Sequence, residues 1–377
     1  MIVVVKGLLQ HMHSSVAGGG FFSLFLDKEG IVWSCGRNDY GQLGFAKSSA
    51  QTCPKQVKNV PRIQSVAAGF EHSLFLDFNT SAWACGEGNY GALGLSDRNH
   101  RFAPVEIPST NCTAAISAGT RHSVFYKMDN SIFVCGFQQF GQLACGNNAI
   151  LKLQAITPPT NTVAISSGNQ FSLFLSKEGT VWSCGASSDG SLGIPNVTNA
   201  QTASQISLPK IQTIATGSDH SLFLDVEGCV WACGDNSTGQ LGLGPGLDGC
   251  KVPEKLVGLP PIQAISAADD YSVFLDEEGK VWSCGSNCYG QLGVGTISHH
   301  TTPVQIKNLP PIQSVNTGWY HTILVDEDGF VWTCGEGTYG ALGNGSTAHQ
   351  SVPFKIPNIP EVVVHRKFET KSARKVV

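Results

Sequence analysis

Charge is scarce in this chain, and what there is nearly cancels. Charged residues are 14 % of the 377, against roughly 25 % in an average globular protein. A net charge of -4 gives no general attraction for nucleic acid or an anionic membrane. Long apolar runs are missing too. The opening MIVVVKGLLQHMHSS has an apolar run only from Ile2 to Val5, too short for a signal-peptide core. No window approaches the roughly 18 apolar residues of a membrane span. No stretch follows a 3.6-residue period beyond two turns, which argues against helices as the main element. The phosphate-cradling pattern G-x-x-x-x-G-K-[ST] is absent. The 13 cysteines are odd in number and come without a secretory signal, so they read as reduced thiols in an intracellular protein. Sequons such as Asn196-Val197-Thr198 then carry no weight.

What the chain does have is glycine, 43 of them, with 41 % hydrophobic residues. That combination predicts buried strands and tight turns, not disorder. Aligned on Cys-Gly pairs, Cys35, Cys85, Cys135, Cys184, Cys233, Cys284 and Cys334 recur at spacings of 50, 50, 49, 49, 51 and 50. SVAAGFEHSLFLDFNTSAWACGEGNYGALG (Ser65 to Gly94) matches SVNTGWYHTILVDEDGFVWTCGEGTYGALG (Ser314 to Gly343). Each copy holds four strand-like runs: IQSVAAG (Ile63 to Gly69), HSLFLD (His72 to Asp77), KVWSCG (Lys280 to Gly285) and PVQI (Pro303 to Ile306).

Seven such units in tandem predict an all-β fold, a seven-bladed β-propeller of four-stranded blades with about 50 residues per repeat. The propeller is expected over 1–368, with repeat cores near 16–44, 66–94, 116–144, 165–193, 214–242, 265–293 and 315–343, and a basic tail at 369–377. The end segments MIVVVKGLL and VPFKIPNIPEVVVHRKF (Val352 to Phe368) are expected to pair and close the ring.

Repetition disqualifies several tempting motifs. A catalytic thiol needs one activated copy with its own base, so seven cysteines at one strand position read as core. Trp33, Trp83, Trp182, Trp231, Trp282 and Trp332, with Phe133 in the third copy, read as packing between blades. The pairs His72-Ser73, His122-Ser123, His220-Ser221 and His321-Thr322 suggest a structural bond from imidazole to backbone. GEGNYG (Gly86 to Gly91) and GEGTYG (Gly335 to Gly340) fit G-x-G-x-x-G, but no helix is expected after them to hold a pyrophosphate. The C-x3-C spacings at Cys284/Cys288 and Cys229/Cys233 lack a second ligand pair. No metal, cofactor or covalent catalysis is expected.

The pattern GxxHSLFLDxEGxVWSCGxNxYGQLG resembles the regulator-of-chromosome-condensation repeat family over about residues 7 to 365. In that family the propeller serves as an exchange factor for the small GTPase Ran, which it tethers to nucleosomes. Elsewhere it is a docking module in ubiquitin ligases, ciliary proteins, a plant ultraviolet photoreceptor and bacterial effectors. The resemblance implies a propeller that binds a small GTPase, with nucleotide exchange on a Ran-like GTPase as its activity. The alternatives are a docking scaffold without activity and, third, chromatin binding, against which the net charge argues. The photoreceptor role needs a tryptophan cluster, and only Trp319 lies outside the scaffold position.

Alternating strands place the G-x-x-H loops and the RNDYGQLG-type loops on one face, and the hairpin tips on the other. The seven tips, Asp27-Gly30 to Asp326-Gly329, hold 13 of the 28 acidic residues, which predicts a solvated acidic rim. The loops of the opposite face differ between copies, and partner contacts are expected there. The family's contact positions carry over to Asp39, Asp189, Asp219, Asp270 and His321, and the variable positions add Glu71, Arg121 and Trp319. The exchange factors also have a basic N-terminal tail, whereas only Lys6 precedes the first repeat here. No loop stands out as their nucleotide-opening wedge; ACGNNAILKL (Ala144 to Leu153) is the least regular. The basic tail HRKFETKSARK (His365 to Lys375) reads as a weak nuclear signal or a solvated terminus. A monomer is expected, in the cytoplasm or nucleus, whether native there or delivered as a bacterial effector.

Overall fold

The structure is a computed structural model that describes residues 14–46, 50–142, 149–157, 159, 161–357 and 359–363. It contains 28 strands and, among the described residues, no helix. They form seven four-stranded antiparallel sheets, each built from consecutive strands. Blade one comprises β1 (Val16–Gly18), β2 (Phe22–Leu26), β3 (Val32–Gly36) and β4 (Gln51–Gln56), and blade two β5 (Ile63–Ala68), β6 (His72–Asp77), β7 (Ala82–Gly86) and β8 (Arg101–Glu106). The other five blades occupy 113–156, 162–205, 211–255, 262–305 and 312–355. This is the seven-bladed propeller that the repeat predicts.

Burial explains the sequence of each strand. The second strand of every blade lies between two sheets, so HSLFLD is buried at all positions, serine and aspartate included. The fourth strand is the outer edge and reads as mostly polar or half-exposed. In blade six it starts at His300, before the expected Pro303, because the ladder resumes at Gly285↔His300 after an irregularity. The glycine after each cysteine adopts φ between 106° and 115°. A Cβ at Gly36 would sit 2.4 Å from the Phe21 carbonyl oxygen, so no other residue fits where the third strand leaves the sheet.

The blades are joined by a repeated bonding set. The hydroxyl of the second-strand Ser or Thr donates to a loop carbonyl of the preceding blade, as in Ser73 Oγ to Gln42 O (2.6 Å) and Ser123 Oγ to Ala92 O (2.7 Å). Each of the seven Cys-Gly thiols is fully buried, and Cys85 Sγ reaches the same Gln42 oxygen at 3.6 Å. Burial pushes the Cys85 thiol up, away from the reactive thiolate form. The tryptophans pack on the preceding blade: Trp83 lies against the cluster containing Leu24, Leu43 and Val57. Cysteines and tryptophans are thus scaffold, as their repetition implies.

The histidines correct one expectation. His72 Nε2 bonds the hydroxyl of Ser123 at 2.9 Å, His220 that of Ser272 at 2.9 Å, and His321 that of Ser23 at 2.8 Å. The Nε2 partner is a side chain one blade on, not the backbone; His220 alone also faces the Asp269 backbone. Burial lowers these imidazoles to about 4, so at neutral pH they are neutral hydrogen-bonding groups. The motif glycine makes room for the ring: a Cβ on Gly69 would lie 2.2 Å from His72 Cε1.

The last of these bonds joins blade seven to blade one, and Gly18 N donates to Asn316 Oδ1 at 3.1 Å across the same boundary. Val362 bridges Asp27 as Ile63 pairs with Asp77, and its N–H donates to Gly329 O as that of Ile63 does to Gly30 O. Val362 therefore occupies, for blade one, the place that Ile63 holds in blade two. The other half of the expected pairing, Met1 to Leu9, lies outside the described residues. First strands of all seven blades line a central channel of about 320 Å³, walled by small residues such as Ser65, Ala115, Ser166 and Thr317.

The tips correct a second expectation. Asp27, Asp77, Asp225, Asp276 and Asp326, five of the 13 acidic tip residues, are buried. Asp276 Oδ1 accepts the N–H groups of Glu278 (3.0 Å) and Lys280 (2.9 Å), and Oδ2 accepts the Trp282 indole N–H at 3.0 Å. Asp27, Asp77, Asp225 and Asp326 likewise hold Trp33, Trp83, Trp231 and Trp332. These carboxylates build the turn and fix the tryptophan; only the remainder forms a solvated rim.

Candidate partner-docking face

The G-x-x-H loops and glycine-rich loops meet on one face because each blade hydrogen-bonds them together. The residue after the Cys-Gly pair donates its N–H to the carbonyl just before the histidine position: Arg37 to Phe21, Glu87 to Glu71, Phe137 to Arg121, Asp235 to Asp219, Ser286 to Asp270 and Glu336 to Tyr320, all between 2.8 and 2.9 Å. The GEG turns are scaffold as well: Gly88 N and Gly337 N bond His100 Nδ1 and His349 Nδ1, both at 3.2 Å. No helix follows them among the described residues.

The pairing sorts the expected contact residues into three groups. On blades one to three, Arg37 bridges exposed Asp39 (2.6 Å) and half-buried Glu71 (3.0 Å). Arg121 is exposed, with its guanidinium 4.3 Å over Tyr90. Burial raises Glu71, and Arg37 opposes the rise.

The second group, on blades four to six, is built of aspartates, with the His299 imidazole acting on Asp270. Asp189 is exposed, and Asp219 and Asp270 are half-buried. Burial pushes Asp219 up to about 6, helped by Asp189, Asp270 and Asp235. Asp269, absent from the expected contact set, is raised furthest, to about 7, by burial and then by Asp270, while the Ser218 hydroxyl donates to it at 3.2 Å. It stands at φ 37°, where blade six has Ala268-Asp269-Asp270-Tyr271 in place of Gly-x-x-His. Among the described residues no three metal-ligating groups are placed to hold an ion.

The third group is aromatic and crosses from blade six through blade seven to blades one and two. Phe70 lies 4.4 Å from Trp319, and Phe21 lies 5.3 Å from both Tyr320 and Tyr339. Tyr289 lies 5.5 Å from Tyr320. Of the eight expected contacts Trp319 alone belongs here. His321 does not belong to the face: it is fully buried and bonded to Ser23, so its motif position reports scaffold, not contact. Asp269 and Tyr320 stand at positions that the sequence already marks as variable between copies, whereas Phe21, Asp235 and Glu336 are residues that sequence reasoning passed over. The first half of the irregular loop Ala144 to Leu153, residues 144–148, and the tail His365 to Lys375 lie outside the described residues; 150–153 belong to the outer strand of blade three.

A family profile described as the RCC1-like domain matches residues 149–374, and profiles of the regulator of chromosome condensation (RCC1) repeat match 14–42, 29–76 and 81–126. The chain belongs to the RCC1-like repeat family. Among solved structures, it resembles Prp20p of Saccharomyces cerevisiae with a TM-score of 0.81 and 21 % identity, covering 95 % of this chain and 90 % of that one. Yeast RCC1 (Prp20) bound to Kap60 gives 0.80 and 22 %, over 93 % and 86 %. Human WBSCR16 gives 0.77 and 20 %, over 86 % and 93 %. Identities this low show the fold alone. A bifunctional serine/threonine-protein kinase/NEDD4-like E3 ubiquitin-protein ligase of Dictyostelium discoideum is 45 % identical over 56 residues, 15 % of this chain and 3 % of that protein.

Proposed function

We propose that this RCC1-like propeller binds a small GTPase of the Ran type through its loop face and accelerates nucleotide release. The observation that carries the reading is the carboxylate group Asp219, Asp269 and Asp270 on the variable face, which no ion pair among the described residues offsets and which, among titratable groups, only the His299 imidazole opposes, at Asp270. Carboxylates that burial and mutual repulsion hold above their ordinary range are poorly accommodated in the free protein. A basic partner relieves them. The solved relative Prp20p, described with its binding to Gsp1p and histones, supports a protein ligand on this fold. Exchange requires no covalent chemistry: the propeller binds the nucleotide-free GTPase more tightly than the loaded one and so draws the equilibrium toward release. The setting we propose is intracellular, in cytoplasm or nucleus, with the propeller monomeric. Among the described residues no helix is long and apolar enough to cross a membrane.

The test is release of mant-GDP from Ran, with other small GTPases in parallel. Stoichiometric propeller is expected to accelerate release at least about tenfold, and Asp219→Ala with Asp270→Ala to remove most of the gain, since each lost charge contact is worth about 1–3 kcal/mol. Absence of acceleration for every GTPase, with no complex on gel filtration after nucleotide removal, would sink the proposal. A second reading, a docking scaffold without exchange activity, draws on the short match to the ubiquitin ligase. It expects a stable pulled-down partner whose binding survives Asp39→Ala and Asp219→Ala.

A further inference from the structure

Two boundaries between blades carry nearly the same loop, and only one is electrostatically complete. GEGNYGALG of blade two (Gly86 to Gly94) and GEGTYGALG of blade seven (Gly335 to Gly343) differ at one residue. At the boundary between blades two and three, Arg121 lies 4.3 Å over Tyr90, and its charge acts on the buried Glu87. The equivalent of Arg121 in the next turn of the ring is Phe21: Arg37 N bonds Phe21 O as Phe137 N bonds Arg121 O, both at 2.9 Å. Glu336, the counterpart of Glu87, is 3 % exposed. Its Oε1 accepts the Thr338 N–H at 2.9 Å, and His349 Nδ1 is 3.8 Å away. Its Oε2 is buried with no hydrogen-bond partner among the described residues. The guanidinium 5.4 Å from Tyr339 belongs to Arg37, which is committed to Asp39 and Glu71.

We propose that the notch between blades seven and one reads an arginine side chain of the docking partner, which stacks on the Phe21, Tyr320 and Tyr339 rings and pairs with Glu336. The partner thereby supplies the cation that Arg121 supplies internally at the boundary of blades two and three. Guanidinium suits the site because it stacks on aromatic faces and donates in a fork to carboxylate. A carboxylate oxygen enclosed without a donor is costly, and the incoming arginine removes that cost on binding. The inference rests on reading the loop face as the docking face, but it does not require that the partner be a GTPase.

The probe is the peptide acetyl-Gly-Arg-Gly-amide, titrated into the full chain by NMR, with the uncharged citrulline peptide as control. The arginine peptide is expected to bind at least tenfold more tightly than the citrulline one, and to lose that margin in Glu336→Gln and in Phe21→Arg, which fills the notch from within. Equal binding of the two peptides, or a margin unchanged by Glu336→Gln, overturns the proposal. Melting temperatures supply a second readout free of any ligand: Phe21→Arg is expected to be better tolerated with Glu336 present than in Glu336→Gln, and strict additivity counts against the pairing. If the peptide margin holds while no GTPase is bound, the exchange reading fails and this one stands. If exchange is fast and Glu336→Gln leaves both it and the peptide unaffected, the reverse is true.

Discussion

Both ends of the propeller carry aspartates, and the two sets are put to opposite uses. At the tips, Asp276 and its four equivalents are buried, and the turn backbone and a tryptophan indole satisfy them. On the loop face, Asp219, Asp269 and Asp270 lie close together with no ion pair among the described residues; burial and neighbouring aspartates raise them, and among titratable groups only the His299 imidazole opposes this, at Asp270. Charge of one sign in a repeat therefore has no fixed meaning. The tip aspartates stabilise the blade, whereas burial and like charge disfavour ionisation of the loop aspartates.

The largest test of this contrast removes one aspartate from each end. Asp276→Ala takes away three acceptor contacts in a buried setting and leaves the Trp282 indole without its carboxylate. A loss of about 3 kcal/mol is expected, at the upper end for one buried polar group with charged hydrogen bonds. Asp270→Ala removes a half-buried carboxylate whose ionisation burial already disfavours, and is expected to cost less than about 0.5 kcal/mol or to stabilise. Urea unfolding of the two variants measures the difference, and comparable losses would break the comparison.

A smaller effect, with a defined pH signature, comes from Asp269→Asn. The folded carboxyl sits at about 7, above its ordinary 3.8, so its ionisation weakens the fold. Stability from this group is complete below the ordinary pKa and is lost as pH rises through about 7. The groups acting on Asp269 are Asp219 and Asp270, with the Ser218 hydroxyl donating to it. The asparagine variant should therefore melt a few degrees higher than the parent at pH 8, with the gain shrinking below pH 7 and vanishing near pH 4. A gain independent of pH would mean that the carboxylate is not strained. If the proposed GTPase docks on this face, the same variant is expected to bind it less well, which separates stability from docking.

How much of this was legible in the sequence follows the repeat. Spacing and alternation give the blades, because each blade is local and its strands are consecutive in the chain. The cysteine and tryptophan roles are legible for the same reason, since sevenfold recurrence leaves no room for one catalytic copy. Contacts between blades are less so. Ser23 and His321 are 298 residues apart yet hydrogen-bonded, and only ring closure brings them together. His321 was placed on the partner face because motif letters carry no burial. The aromatic arc was missed because Phe21, Tyr289, Tyr320 and Tyr339 come from three blades and join only in space. The buried tip aspartates resembled a solvated rim because their tryptophan partners lie six residues on, across the hairpin.

The smallest test uses one of the two blades that depart from the tip rule. Blade three has Lys127 where five blades have aspartate and blade four has Ser176, and Phe133 where the other six have tryptophan. Lys127 Nζ donates to the carbonyls of Ser109 (2.8 Å) and Asn111 (2.6 Å) and lies 5.5 Å from the Phe133 ring. The turn is capped instead by Asp129, whose Oδ1 accepts the Ser131 N–H at 2.9 Å. The two replacements belong together: a carboxylate suits an indole N–H, whereas an ammonium suits a ring without a donor. Lys127→Asp alone should destabilise by about 1–2 kcal/mol, because it orphans two carbonyls and turns a carboxylate toward them. Phe133→Trp alone should cost about 1 kcal/mol, as an overpacked ring beside a cation. Together they should cost about 1 kcal/mol less than their sum, because the new aspartate accepts the new indole. A double-mutant cycle measures that coupling directly. Strict additivity would show that the aspartate and tryptophan of the five blades that carry both recur for separate reasons, and that the tip carboxylates cap the turn alone.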